Sequence, residues 1–516
     1  MIARAVYRSV ADAGGRGLAV LLAAAAAVYA VVAFGLLPAD VFYSGDAGVK
    51  YIQVGSLVRG HFRTLALVYP AADLDPTGAL FPLEPPFAWR VKDQFLSGFP
   101  AAFSALSVPA FSAFGLAGLR LLPVVAAVAL LAVLAAVAVA SGANRYAALA
   151  AVGLTAFASP LPFYAVQFWE HTTFVLLVLI AVLWALKVVA GAGPRHACIA
   201  GVVLGLSAAI RPDAYVCALA VGVALLAVRG PDWRRVLAAL AGGLAVPLVF
   251  LWSFNLFVTG HLLGLHALQV LSPRVPLGDV PAHHLGQLAR LLIASENALV
   301  LHCPYLLLAA AAPLWTRGPA PAPVRFLRVV FVVATLGIAL SAPNDGGLQW
   351  GPRYLLPVVP LGAVLAVQAL ADGRGGPLRL WAGVLFALAG AAGAVLGIAH
   401  LHERVVRGEA PAVATLRRLA PAALVLRNPW FAQGLAASYF EVPMVLARSD
   451  DDLADVARRL WYTRRTGFVT ADWSAGRPSP AVIQIAGGTG PSLQLRQRST
   501  LTSGLYRFES WQIEAR

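Results

Sequence analysis

The sequence predicts a polytopic α-helical membrane protein of about eleven transmembrane helices, with a small C-terminal α/β domain outside the membrane. Three observations predict it. Hydrophobic residues make up 59% of the 516 positions and charged residues only 12%, about half the charge of an average soluble chain. Stretches of roughly 20 apolar residues, enough helix to cross a bilayer, recur along the chain up to residue 400. Residues 400–516 then return to ordinary soluble composition.

Taken in order, the spans fall at 18–38, 120–140, 146–158, 163–190, 196–210, 213–229, 236–257, 296–316, 324–341, 354–371 and 378–399. The first is too long for the apolar core of a signal peptide, and no small-residue cleavage motif follows it, so it counts as a helix. The net charge of +15 is almost all arginine, because Lys50, Lys92 and Lys187 are the only lysines. With the N-terminus in the cytoplasm, every inner segment is short and basic. The sets are Arg4, Arg8 and Arg16; Arg145; Lys187 and Arg195; Arg229, Arg234 and Arg235; Arg317, Arg325 and Arg328; and Arg374 and Arg379. This is the cytoplasmic excess of positive charge that sets membrane topology, so the basicity does not call for nucleic acid. An odd number of spans leaves the C-terminal domain extracytoplasmic. The arginine-rich, alanine-rich usage is that of a GC-rich bacterium, which puts the chain in a bacterial cytoplasmic (inner) membrane.

Two segments are less regular. Pro100–Gly118 is long and apolar but carries Ser104, Ser107, Pro109 and Ser112; it is expected to lie at the interface or re-enter, because a span there disturbs the charge pattern downstream. Ile210-Arg211-Pro212-Asp213 is flanked by apolar arms of about 15 residues, about 22 Å of helix against a hydrocarbon core of about 30 Å. A short hairpin with Arg-Pro-Asp near the outer surface fits the arginine pattern; one broken helix does not.

The outer side then holds a large first loop (39–119), a turn at 159–171, a loop at 258–295, a turn at 342–353, and the C-terminal domain from residue 400. In that domain Ala423–Leu426, Pro443–Ala447, Gly467–Thr470 and Ala481–Ile485 read as strands and Asp451–Leu460 as a helix. The division is therefore 1–399 membrane domain with its first loop, and 400–516 soluble domain. The Pro/Ala-rich segment 318–323 reads as a linker, and no internal repeat is present.

Ionisable residues at membrane depth or its edge are costly and are functional candidates by default. The outer set is Asp46, Glu170, His171, Arg211, Asp213, Asp345 and Arg353, with Tyr354 beside the last. Asp46 stands just past the first span, between Gly45 and Gly48, which permit close backbone approach to a ligand. A carboxylate there is placed to act as a base on a substrate whose tail stays in the bilayer. Glu170 and His171 follow an aromatic run, Phe163 to Trp169. They suit proton transfer, sugar hydroxyls or a divalent cation such as Mg or Mn, and adjacent residues share one ion only in a non-helical turn. Arg211 and Asp213 read either as a structural ion pair or as a phosphate site. Arg353 closes a glycine-rich turn, and its planar guanidinium matches phosphate oxygens in pairs.

His261, His266, His283 and His284 are irregularly spaced and read as loop residues, and Glu84 and Asp93 as ordinary loop carboxylates. Cys198, Cys217 and Cys303 lie in apolar stretches, so no disulfide framework is expected. No phosphate loop, nucleotide fingerprint, metalloprotease motif or serine elbow stands in a fitting context, and no inner loop is large enough to house nucleotide-dependent chemistry.

The layout resembles the GT-C superfamily of integral-membrane glycosyltransferases, which includes protein O-mannosyltransferases and bacterial aminoarabinose transferases. The resemblance rests on Asp46 as the acid that opens the first outer loop and on Glu170 as a second outer acid. It rests also on Arg211-Pro212-Asp213 and on the segment Gln349-Trp350-Gly351-Pro352-Arg353-Tyr354-Leu355-Leu356-Pro357. The first loop lacks a clean paired acidic motif, which argues against protein O-mannosylation.

The resemblance implies inverting transfer of a sugar from a polyprenyl-phosphate donor to a lipid, glycan or protein acceptor on the outer side. Asp46 would be the general base, Arg353 and Arg211 would meet the leaving phosphate, and Glu170 and His171 would orient a sugar or hold a cation. Asp213, Asp345 and Tyr354 would line the substrate site. The expected partners are this donor, the acceptor and membrane lipids, not nucleic acid. The alternative from another class is a multi-pass transporter or flippase for a lipid-linked or small polar substrate.

Overall fold

The computed structural model describes residues 15–271, 280–315, 319–371, 376–476, 478–486 and 491–515. Arg4, Arg8, Arg317 and Arg374 of the arginine pattern lie outside the described residues. The chain forms two compact units, one of residues up to 33 and 120–399, the other of residues 34–119 and 400–516. The sequence draws one boundary at 399/400; in the structure the first loop goes with the C-terminal segment.

The first unit is helical. It contains α1 (Gly15–Ala30), then, from the second segment, Leu121–Ala140, Arg145–Phe157, Leu161–Ala165, His171–Val189, Pro194–Ala208, Ala214–Ala227, Trp233–Thr259, Ala322–Ser341, Val358–Ala371 and most of Gly376–His402. Among the described residues of the whole chain, seven helices are long and apolar enough to cross a membrane. An eighth is reached if Ala282–His302 and Leu306–Pro313, bent by 104°, form one broken span.

The expected count of eleven exceeds this for a physical reason. Several segments read as spans are short: Arg145–Phe157, Ala214–Ala227 and Val358–Ala371 have 13, 14 and 14 residues, or about 20 Å of helix at 1.5 Å per residue. Pro100–Gly118, read as interfacial, is an 18-residue helix (Ala101–Gly118) that passes the same length and apolarity test.

Helices of this unit approach closely through small residues. A Cβ on Gly201 would lie 2.1 Å from the Leu240 carbonyl oxygen, and one on Gly243 2.1 Å from that of Cys198. The helices Pro194–Ala208 and Trp233–Thr259 thus meet backbone to backbone, the mode of packing that glycine permits between apolar helices. Gly243→Val is expected to force them apart and to reduce folded membrane protein severalfold, read as monodisperse protein recovered in detergent; Gly242→Val, where nothing crowds a Cβ, should leave it unchanged.

The second unit is built on a six-stranded sheet. Its strands are β1 (Leu424–Leu426), β2 (Met444–Leu446), β3 (Gly467–Trp473), β4 (Val482–Ile485), β5 (Leu493–Ser503) and β6 (Tyr506–Ala515), in the order β2-β1-β3-β6-β5-β4. The β1–β2 and β1–β3 pairings are parallel and the rest antiparallel. The amphipathic helix Asp450–Tyr462 covers it. Ser449 and Asp452 close a reciprocal cap at its start, which satisfies two backbone donors that a helix N-terminus leaves open.

The core of this sheet is shared with the first loop. Ala71, Leu74 and Leu80 are buried with Val425, Val445, Leu453, Phe468 and Trp511, and the Leu446 amide donates to the Leu80 carbonyl at 2.9 Å. Asp75, with no exposed surface, accepts from the Leu80 amide (2.7 Å), Tyr69 (3.1 Å), Thr77 (3.1 Å) and Arg459 (2.9 Å). Burial first, then the Asp75 charge, pushes the Tyr69 hydroxyl far above its ordinary pKa, so it stays a donor. Asp75→Ala is expected to cost about 3 kcal/mol by stranding these donors and Arg459, read as a lower thermal midpoint and protease cleavage in residues 66–80.

Candidate active site

In the helical unit the chemistry gathers where two helices are interrupted. After the short helix Leu161–Ala165 the chain turns through Val166–Trp169 and re-enters helix at His171, with Glu170 at the N-cap position. A carboxylate suits that place because the helix N-terminus carries partial positive charge. The second interruption is Ala209–Asp213. Pro212 has no N–H and disfavours helix at the residue before it, and Asp213 opens the next helix.

These breaks bring four predicted residues together. Arg211 donates through Nη1 to Glu170 Oε1 at 2.8 Å and through Nε to Asp213 Oδ2 at 2.7 Å. Nη1 also lies 3.0 Å from His171 Nε2. A guanidinium has only donors, so in this contact His171 accepts at Nε2. Among the described residues Arg211 Nη2 has no protein partner. The Arg211, Glu170 and Asp213 side chains are 9%, 8% and 15% exposed, so the cluster is desolvated and its attractions are little screened.

Tyr354 brings in the second guanidinium. Arg211 Cζ is 5.9 Å and Arg353 Cζ 4.9 Å from its ring centre, and the two cations are close enough to repel. Arg353 donates to the Tyr354 hydroxyl at 3.0 Å, and that hydroxyl donates to Asn344 Oδ1 at 3.2 Å. The turn carrying Arg353 is held by Gly351. Its φ is +79°, and a Cβ there would lie 2.7 Å from Pro160. Its amide donates to Asn297 Oδ1 at 3.0 Å, and its carbonyl accepts from Tyr164 at 3.3 Å. Tyr164 and Trp169 flank the His171 ring at 5.1 and 5.3 Å.

Asp345 is not part of this cluster: its carboxylate pairs with Arg290. Arg211 lies against Glu170 Oε1 and His171 Nε2. Among the described residues no three His, Cys, Asp or Glu side chains come together, and His283 and His284 meet only each other's rings.

Asp46 belongs to the other unit. It is half-buried in the first turn of the helix Gly45–Arg59. The room that Gly45 and Gly48 leave is taken by protein: a Cβ on Gly48 would lie 1.9 Å from the Gln433 main-chain oxygen, and one on Gly45 2.5 Å from Gln433 Oε1. Tyr43, three residues earlier, contacts His400 Nε2 at 3.1 Å, and Arg404 donates to its carbonyl at 3.3 Å. Glu84 pairs with Arg448, and Asp93 lies 3.9 Å from Arg90.

Sequence reasoning missed Lys50, Tyr164, Asn297 and Gln433. Lys50 was legible, since i, i+4 spacing puts it on the helix face of Asp46. It is 2% exposed, with Nζ 4.2 Å from the Phe99 ring centre. Asn297 and Gln433 had no local pattern to mark them.

No protein-family model matches the sequence, and no curated protein does. Solved structures do. ArnT from Cupriavidus metallidurans is similar over 95% of this chain and 97% of its own, with a TM-score of 0.53 at 14% identity. The archaeal oligosaccharyltransferase AglB from Archaeoglobus fulgidus, in complex with an inhibitory peptide and a dolichol-phosphate, is similar over 88% of this chain and 69% of its own, with a TM-score of 0.50 at 13% identity. The mycobacterial arabinofuranosyltransferase AftD is similar over 95% of this chain and 41% of its own, with a TM-score of 0.50 at 18% identity. The chain therefore has the GT-C fold that these membrane glycosyltransferases share.

Proposed function

With the GT-C fold as premise, we propose that the chain transfers a sugar from a polyprenyl-phosphate carrier to a hydroxyl of a lipid, glycan or protein acceptor, on the outer side of the bacterial cytoplasmic membrane. The observation that carries this reading is the pair of guanidiniums about Tyr354. Arg211 is fixed by Glu170 and Asp213 and keeps Nη2 for a ligand. Arg353 is less buried and stands on the tyrosine ring. Two cations held by a rigid frame suit a phosphate that gains negative charge as it leaves.

In the proposed step the acceptor oxygen attacks the anomeric carbon from the face opposite the phosphate. The bond from that carbon to the phosphate oxygen breaks, and its electron pair goes to the phosphate. The acceptor's proton goes to the Asp46 carboxylate, acting as general base. One displacement inverts the anomeric configuration. Glu170 and Asp213 hold Arg211 in place, with His171 as a further contact.

The test is transfer in proteoliposomes of radiolabelled sugar from a panel of polyprenyl-phosphate donors to membrane extract, read together with the anomeric configuration of the product. Inverted product supports the reading. Retained configuration, or transport of labelled donor across the bilayer without transfer, overturns it in favour of another mechanism or a flippase. Arg353→Ala is expected to raise the donor KM by about 10–100-fold, the loss of one charge-assisted contact, with unchanged abundance.

A further inference from the structure

Asn297 is buried in a break between two stretches of helix, Arg290–Ala294 and Leu299–His302. Ser295 and Ala298, on either side of it, have extended backbone. Its Oδ1 accepts from the Gly351 amide at 3.0 Å. Gly351 is itself buried, and a buried amide needs such an acceptor. The Gly351 carbonyl in turn accepts from the Arg353 amide at 3.0 Å. One chain of hydrogen bonds therefore runs from the Asn297 side chain, through Gly351, to the backbone of Arg353. The surroundings leave Gly351 little other room. A Cβ there would meet His302 Cγ at 3.2 Å as well as Pro160. The preceding residue is anchored too: the Trp350 indole donates to the Gly393 carbonyl at 2.9 Å, and its ring meets that of His302 edge-on at 5.3 Å. The Arg290–Asp345 ion pair joins the same two segments, but it is open to water, and exposed pairs contribute little. The buried bond is the one that sets the turn.

We propose that Asn297 is a positioning residue for the donor phosphate. It fixes the turn from which Arg353 reaches the phosphate, and does not touch the donor itself. The inference rests on the reading of Arg353 as a phosphate contact and adds to it a residue from another part of the chain. A guanidinium on a loose turn must be ordered when the ligand binds, and that ordering subtracts from affinity. With Asn297 in place the turn is ordered beforehand. The effect belongs to the donor, because the bond acts on Arg353 and on no residue assigned to the acceptor. The Tyr164 hydroxyl holds the Gly351 carbonyl from the other side, at 3.3 Å, and as the longer bond it contributes less.

The test uses full-length protein in detergent, titrated calorimetrically with undecaprenyl phosphate. Asn297→Leu keeps the volume and removes the acceptor oxygen. It should weaken binding about tenfold and, in transfer assays, raise the donor KM while leaving the acceptor KM unchanged. The deciding comparison is the double variant with Arg353→Ala. A residue that works through Arg353 has nothing further to lose once Arg353 is gone, so the double variant should bind no more weakly than Arg353→Ala alone. Losses that add make Asn297 a structural residue and overturn the proposal. So does a leucine variant that binds like wild type while Arg353→Ala is impaired. If the leucine variant fails to fold, Tyr164→Phe takes its place. It removes the other side-chain bond to Gly351 and should weaken binding about threefold, with no further loss on the Arg353→Ala background; unchanged binding overturns the proposal. Wild-type protein that does not bind undecaprenyl phosphate, or Arg353→Ala that binds it as wild type does, overturns the phosphate reading of Arg353, and the role of Asn297 with it.

Discussion

Asparagine at position 46 should lower the transfer rate by about 10²–10⁴-fold, the range over which a positioned general base contributes, with normal membrane abundance and an unchanged donor KM. The size follows from the chemistry: asparagine keeps the shape and one acceptor oxygen but cannot take a proton at neutral pH. The fold should tolerate it because Asp46 is only half-buried, in a first helical turn, and asparagine keeps its shape. Single-turnover transfer in proteoliposomes measures the effect. A rate within a factor of three of wild type would remove Asp46 from the mechanism, and a loss of folded protein would give it a structural role.

Arg211→Ala should act on the fold before it acts on the reaction. Removing the cation strands Glu170 and Asp213 in a desolvated site, and breaking a buried ion pair from one side costs about 3–5 kcal/mol. Little folded protein should be recovered. The triple change Arg211→Met with Glu170→Gln and Asp213→Asn removes the charges together and should restore abundance without restoring transfer. Fluorescence-detected size exclusion separates the two outcomes. If Arg211→Ala is recovered normally, the ion cluster is not what fixes the interruption at Ala209–Asp213. Arg353 is less buried than Arg211, so its removal should cost the fold less, and the two arginines should fail in different ways.

Much of the architecture is legible because it follows from local patterns. The strands read at Ala423–Leu426, Pro443–Ala447, Gly467–Thr470 and Ala481–Ile485 are present within one to three residues, as is the helix read at Asp451–Leu460. Each is a short apolar or amphipathic run bounded by turn residues. The hairpin of β5 and β6 escaped, because Leu493–Ser503 is mostly polar on an exposed face, although Gly504 at φ +58° marks its turn.

Among the site residues, the two interruptions, before His171 and at Arg211-Pro212-Asp213, were readable from the sequence. The role of Arg211 as common partner was not, since nothing local pairs residue 170 with residue 211. Asp345 looked equivalent to these acids by position, and only the three-dimensional path of residues 280–296 shows that Arg290 claims it. The same limit hid Gln433, which lies 387 positions after Asp46 in the chain (433 − 46).

The shared core of the second unit has a consequence for synthesis. Residues 34–119 leave the ribosome first, yet the strands that bury Ala71, Leu74 and Leu80 are made only after the 280 residues from 120 to 399 (399 − 120 + 1). At about 5–20 residues per second that delay is roughly 15 s to a minute. During it the early segment has apolar surface and a buried-type carboxylate with no counterpart to receive them. A nascent chain stalled near residue 400 should therefore carry residues 66–80 in a form that proteases cut and that holding chaperones recognise, whereas a chain released after β6 should not.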